Sequence, residues 1–203
     1  MAAIVHKDLR NRRVRSSTLP ALTSQTDRED TRLGNPRDDS SNFDEIVARY
    51  QPQVARLAHR LLGWRDHAGV EDVVQEVFLV ALTRLDTFRG DASLSTWLSG
   101  ITINQCRAHR RRSLLRLRWL REKWNRHDST HQPPEVDETS QQVRAAVAEL
   151  PPRNREVIVL FYLEEFSVAQ IAELLGVKNN AIEVRLHRAR QRLKTQLAAL
   201  IGD

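Results

Sequence analysis

SVAQIAELLGVKNNAIEVRLHRARQRLK, residues Ser167 to Lys194, decides the fold of this chain because it reads as two helices around a tight turn. Ser167 and Gln170 make a capping-box pair, in which each side chain satisfies a backbone N–H of the other residue. Ile171, Leu174 and Leu175 give the first helix one apolar face, and Gly176 stands where the helix must stop in a left-handed conformation. A second helix starts near Asn179 or Asn180 and buries Ile182, Leu186, Ala189 and Leu193, spaced four, three and four residues apart. Lys178 fills the cap position, so one of the two asparagines is expected to cap instead. Left outside are Asn180, Glu183, Arg185, His187, Arg188 and Arg192. These side chains suit a major groove, where Arg pairs with guanine, Asn with adenine and Glu with cytosine. A plain helical hairpin shares the apolar spacing. Small Ala172, the turn at Gly176 and the short connection favour a DNA-binding helix-turn-helix.

Charge points to the same partner. The 203 residues carry a formal net charge of +6, and 40% are hydrophobic, enough for one or two small domains with cores. A mildly basic balance decides little by itself. Its distribution decides more: Gln105 to Arg126 holds nine Lys or Arg against one acid, Glu122, and Lys178 to Lys194 holds six against Glu183. One cysteine, Cys106, excludes an intramolecular disulfide. No apolar run approaches the ~20 residues that cross a bilayer, and the N-terminus lacks the apolar core of a signal peptide. A soluble cytoplasmic chain without membrane insertion is expected.

Residues 1–40 are polar and of mixed charge, with no sustained apolar period, and read as a disordered tail whose Arg10, Arg12, Arg13 and Arg15 form a solvated cluster. Helical period begins at Phe43 and runs to Gly63, with Pro52 as a kink. A second helix is expected over about 70–85 and a third over about 96–112, continuing as a basic amphipathic segment through Leu114, Leu117, Leu120 and Trp124. His127 to Thr139 has the composition of a linker. Helix resumes over 141–150, and Pro152 suits the first turn of the next helix, which carries Val157, Ile158, Phe161, Tyr162 and Leu163. The expectation is all-α: two small helical domains, 41–112 and 140–203, joined by a flexible basic linker over 113–139.

The second helix separates into two faces. Val70, Val73, Val74, Val77 and Ala81 point inward, while Glu71, Asp72, Gln75 and Glu76 form an acidic, amide-bearing strip. Next comes the loop FRGDASLSTWL, then a helix that joins Trp97 to Asn104, Gln105, Arg107, Arg110, Arg111 and Arg112. Aromatic rings beside a basic groove suit single-stranded nucleic acid, because bases stack on the ring while Arg holds phosphate. Taken alone, Trp97 reads more readily as a core residue.

Four segments in order, GVEDVVQEVFLVAL, FRGDASLSTWLSGITINQ, ELPPRNREVIVLFYLEEFSVAQIAELLGV and VRLHRARQRL, resemble the bacterial extracytoplasmic-function (ECF) sigma factors. The resemblance covers about residues 43–112 and 140–200. It implies a σ2-like and a σ4-like domain that bind core RNA polymerase and direct it to promoter DNA. It assigns Asp72, Gln75 and Glu76 to polymerase binding. Phe88, Arg89 and Trp97, with Asn104, Arg107, Arg110, Arg111 and Arg112, are assigned to recognising and melting the −10 element. Asn180, Glu183, Arg185, His187, Arg188 and Arg192 are assigned to the −35 element. The family commonly has an anti-sigma factor as a further partner. Glu183 and Val184 stand where the family often has Lys and Ser, so an unusual −35 sequence is expected.

A stand-alone helix-turn-helix regulator is the main alternative, and it leaves the acidic strip and the Trp97 region without a purpose. An RNA-binding protein would explain the Arg-rich stretch and not the turn motif. Sequence signatures of an enzyme are missing: there is no P-loop, GxGxxG, HExxH or nucleophile elbow. Cys106, His109, His127 and His131 have a spacing superficially like that of zinc ligands. The surrounding arginines disfavour both thiolate and metal charge, so neither a metal nor a cofactor is expected.

Overall fold

The structure, a computed structural model, describes residues 40–64, 66–88, 90–121 and 138–201. Among them are seven α-helices and no strand: α1 (Ser40–Leu62), α2 (His67–Arg84), α3 (Leu94–Arg121), α4 (Glu138–Glu149), α5 (Pro152–Ile158), α6 (Val168–Leu175) and α7 (Asn179–Ile201). The tail over 1–39, Arg89 and the stretch 122–137 lie outside the described residues, and with them His127, His131 and the arginines of the N-terminal cluster.

Helices α1, α2 and α3 pack on one another in pairs. Their shared core is the apolar period of the sequence made solid: Ile46, Leu57, Leu61, Val73, Val77, Leu98 and Ile103 are each at most 1% exposed. The first helix runs unbroken through Pro52, which sits on its exposed side. The second is capped by Asp66, whose Oδ1 accepts the Gly69 N–H at 2.9 Å, while Oδ2 meets His109 Nε2 at 2.8 Å and so ties the start of α2 to α3. The third helix carries on past Arg112 through Leu114, Leu117 and Leu120, as its basic amphipathic period suggested, and so takes up the first part of the stretch 113–139 expected as a flexible linker.

In the second half, α7 crosses α4, α5 and α6. Pro152 opens α5 as expected, and α5 passes directly into a π-helical segment, Val159–Leu163, before the chain turns. The capping box of Ser167 and Gln170 is formed in both directions, and Gly176 ends α6 at φ +65°. A side chain there would be forced into a left-handed backbone that only glycine adopts without cost. The seventh helix begins at Asn179, which puts Lys178 at the cap position and both asparagines in the first turn, so neither occupies the capping position expected of one of them.

The two halves touch. α5 and the π-helical segment lie against α1, and a Cβ built on Gly100 of α3 would stand 3.5 Å from Leu174 of α6. Gly63, at φ +92°, follows the last turn of α1, and a Cβ there would come within 2.7 Å of Arg155 Nη1. That glycine answers to both backbone conformation and interhelical space.

Candidate functional site

On α2 the inner face is complete, with Val70, Val73, Val74, Val77, Phe78 and Ala81 all buried. Asp72 and Gln75 are exposed and Glu76 is half-buried, so the acidic strip lies on the outside of the bundle. The strip does not end there. Leu79 and Leu82, 64% and 53% exposed, continue the same helical face toward its C-terminus. An acidic start and an apolar end on one exposed stripe make a surface fit for another protein. The two leucines were legible in the sequence, since Leu79 falls two residues after core Val77 and therefore opposite the core.

Helix α3 distributes its polar residues unevenly. Asn104 and Arg111 are exposed. Arg112 is exposed as well, and donates from Nη2 to Glu76 Oε2 at 2.8 Å, joining the basic helix to the acidic strip. Arg107 and Arg110, which the resemblance assigned to the −10 element, both reach Glu156 of α5. Arg107 donates from Nε to Oε1 at 3.1 Å and from Nη2 to Oε2 at 2.7 Å, and Arg110 Nη2 also donates to Oε1. Glu156 is only 1% exposed. Burial alone would raise its carboxyl, but the hydrogen bonds and charges of Arg107 and Arg110 outweigh burial and hold it below the usual carboxylate range. Sequence reasoning missed Glu156 altogether, because nothing local separates it from the solvated acids Glu149 or Glu165.

Trp97 and Phe88 face each other across the turn into α3, with ring centroids 5.3 Å apart and planes tilted by 51°. Both are partly buried against the core. Ser93 caps α3 by accepting the Thr96 N–H, and the Gln53 amide binds Ser95 Oγ at 2.6 Å, so the segment entering the helix is anchored at both sides. An aromatic pair held this way keeps an exposed edge available for stacking while its other side packs inward.

The outer face of α7 is as the sequence suggested. Ile182, Leu186 and Ala189 are at most 2% exposed and Leu193 is partly buried, while Asn180, Glu183, His187, Arg188 and Arg192 are exposed and Arg185 lies half-buried on the flank. Arg190 turns the other way, donating from Nε to Tyr162 Oη at 2.9 Å over the Phe161 and Tyr162 rings. The helix thus presents a mixed Asn, Glu, Arg and His surface of the width that enters a major groove.

Two candidate metal ligands have other occupations. The Cys106 thiol is fully buried, and burial pushes its pKa up to about 12, so it stays protonated at neutral pH. His109 is engaged with Asp66. No helix among the described residues is long and apolar enough to cross a membrane.

Comparison with known proteins follows this geometry. Residues 46–114 match the family model for Sigma-70 region 2, and residues 140–193 match the model for Sigma-70, region 4. Similar proteins include the ECF RNA polymerase sigma factor SigM of Mycobacterium tuberculosis, 32% identical over 78% of this chain and 78% of its own length. The ECF RNA polymerase sigma-E factor of Escherichia coli is 30% identical, over 80% of this chain and 90% of its own. SigE of Mycolicibacterium smegmatis is 33% identical over 77% of this chain, which spans 62% of that longer relative. Among solved structures, CnrH in complex with the cytosolic domain of CnrY superposes with a TM-score of 0.59 at 28% identity, covering 85% of this chain and 97% of that one. The sigma factor RpoE in complex with the anti-sigma factor NepR from Bartonella quintana shares the fold, with a TM-score of 0.65 at 24% identity over 77% of this chain and 97% of that one. Since the two family models fall on the two helical halves and the relatives align across both, the chain belongs to the ECF family of RNA polymerase sigma factors.

Proposed function

We propose that this chain is a transcription initiation factor that acts in the cytoplasm, binds core RNA polymerase and directs it to promoters, without catalysing a reaction itself. The σ2-like unit spans 41–112 and the σ4-like unit 140–203, with the intervening residues as the connection. The polymerase is met by Asp72, Gln75 and Glu76, extended by Leu79 and Leu82. The −10 element is opened and held by Phe88, Arg89 and Trp97 with the basic face of α3, and the −35 element is read by Asn180, Glu183, Arg185, His187, Arg188 and Arg192 on α7. RNA synthesis belongs to the polymerase. The anti-sigma factor NepR accompanies RpoE and the cytosolic domain of CnrY accompanies CnrH, and an anti-sigma partner is assigned to this chain too.

One observation carries the reading: a single chain presents an acidic-to-apolar docking stripe on α2, a basic helix after an aromatic pair, and a helix-turn-helix with an exposed reading face. Two DNA-contacting units on one chain gain affinity through effective concentration, so neither unit needs to bind tightly alone. Arg contacts to phosphate supply salt-dependent affinity, and a few base contacts supply choice. Strand opening is favoured when an unstacked base is captured against aromatic surface, because stacking returns about 1–3 kcal/mol per base. A stand-alone regulator would leave the α2 stripe unused.

Purified core polymerase, supplemented with this chain and offered a genomic fragment library, should initiate at a small set of fragments that share two spaced elements. Replacing Asp72 and Glu76 by Lys should abolish co-purification with polymerase while leaving helicity intact. Initiation indistinguishable from core polymerase alone would overturn the assignment.

A further inference from the structure

Glu156 is the one fully buried charged residue among the described residues, and its partners come from the other half of the chain. Arg107 and Arg110 lie one turn apart on α3, and Glu156 lies in the last turn of α5. Two further cross-contacts surround this trio. Arg110 and Arg155 both donate to the Leu61 carbonyl, each at 3.2 Å, and so serve an end-of-helix oxygen that α1 cannot satisfy itself. Arg60 of α1 donates to the Leu163 carbonyl at 3.0 Å and to Glu164 Oε1 at 2.6 Å.

We propose that this seam is a latch, in which Glu156 occupies the place of DNA phosphate on Arg107 and Arg110 and holds the chain in a closed state that must open before both promoter elements can be bound. The proposal rests on the promoter-binding reading of α3 and α7.

Chemistry makes the two uses exclusive. A carboxylate and a phosphate both take the Nε and Nη edge of a guanidinium in the same two-pronged way, and Glu156 already holds that edge of Arg107. Size makes closure incompatible with a whole promoter. Elements about 25 base pairs apart are separated by roughly 80 Å at ~3.4 Å per pair. A closed body of this chain's helical residues is only about 40 Å across. The stretch between Arg121 and Glu138 reaches at most about 60 Å when extended, so separated halves can span the distance that joined halves cannot.

The seam is also built to release. Two guanidiniums, Arg107 and Arg110, bind one carboxylate, and a third, Arg155, lies beside them on the Leu61 carbonyl, which leaves excess positive charge in a partly buried place. Arg155 is disfavoured as a cation first by burial and then by the charge of Arg110. A polyanion arriving at α3 gains from that excess, and separation lets water solvate Glu156 and Arg155.

The test measures the separation of the halves in the full chain. Glu45→Cys on α1 and Lys194→Cys on α7, both exposed, take a spin-label pair, while buried Cys106 takes none. The wild-type background should give one short, narrow distance. Glu156→Gln should shift the population to long, broad distances, raising the open-to-closed ratio on the order of tenfold or more, as loss of a buried charge partner does. Should Glu156→Gln lose helicity, the Arg107→Gln, Arg110→Gln pair decides, since those side chains sit at the rim of the seam and should open it likewise. A wild-type chain already long and broad, or a folded variant as short as wild type, overturns the latch. Transcription with purified core polymerase separates the two readings. Glu156→Gln should raise initiation several-fold at limiting chain concentration. Normal initiation with an unshifted distance sinks the latch alone, whereas a shifted distance without initiation by either protein sinks the promoter reading and leaves the latch standing.

Discussion

Replacing Leu79 and Leu82 by Ser tests whether the exposed stripe of α2 is a docking surface. The two side chains are 64% and 53% exposed, so the folded chain alone gains little from them. Burying a whole leucine contributes about 1.5–3 kcal/mol, so covering the exposed parts of both would supply about 2–3 kcal/mol, or roughly 30- to 150-fold in Kd. The cost to folding should stay within about 0.5 kcal/mol, as for ordinary surface changes. That corresponds to a Tm shift of less than about 2 °C in a chain of this size. Anisotropy of the N-terminally labelled full chain, titrated with core polymerase, reads the first quantity, and a melting curve reads the second. A Kd within about threefold of wild type, with native melting, would remove these leucines from the interface. A Tm drop beyond about 5 °C would show that they support the fold after all.

Four further outcomes follow from the same structure. Arg188→Ala or Asn180→Ala should cost about 1–3 kcal/mol and relax preference at particular bases of the upstream element, whereas a phosphate-contacting Arg would weaken all sequences alike; selection from a randomised promoter library distinguishes the cases. Phe88→Ala and Trp97→Ala should impair initiation on duplex promoters more than on templates already mismatched at the start region, and a melting curve must accompany the assay, because full truncation of a buried Trp costs about 3–5 kcal/mol by itself. His59 is pushed below its ordinary pKa by burial first, then by His67 and Arg144, so its contribution to stability is complete above about pH 6.5 and is lost as pH falls through its lower folded value; His59→Gln should flatten Tm between pH 7.5 and about 5.5. The Cys106 thiol, with a pKa near about 12, should react with a disulfide reagent only in denaturant, and fast reaction of the native chain would contradict its burial.

The acid side of the seam has a sign of its own. Glu156 titrates below the unfolded carboxylate range, so its stabilisation is present above that range and is lost as pH falls through the folded value. Glu164 runs the other way. Burial raises it despite Arg60 and Arg56, and its contribution fades as pH rises through that raised value. The two glutamates of the second half are therefore not equivalent ion pairs: Glu156 is held by two guanidiniums, while Glu164 sits in a place whose desolvation exceeds what Arg60 returns.

Local chemistry was readable from the chain alone. The Ser167–Gln170 box, the left-handed Gly176, Pro152 at the start of α5 and the four-three-four spacing of Ile182, Leu186, Ala189 and Leu193 each depend on neighbours within a turn or two. So does the inward face of α2, and with it the outward position of Leu79. What only the tertiary structure decided lies in pairings across long stretches of chain. Glu156 meets arginines 46 and 49 positions away, and Arg60 meets Glu164 at a separation of 104. In sequence, an arginine bound to a buried carboxylate and one waiting for phosphate are the same letter, at the same helical spacing, in the same basic run. Period and caps report which way a side chain leaves its helix; they carry no information about what another helix brings to meet it. The physical reason is that burial of a charge is a property of two surfaces together, and its cost and compensation exist only once both are in place.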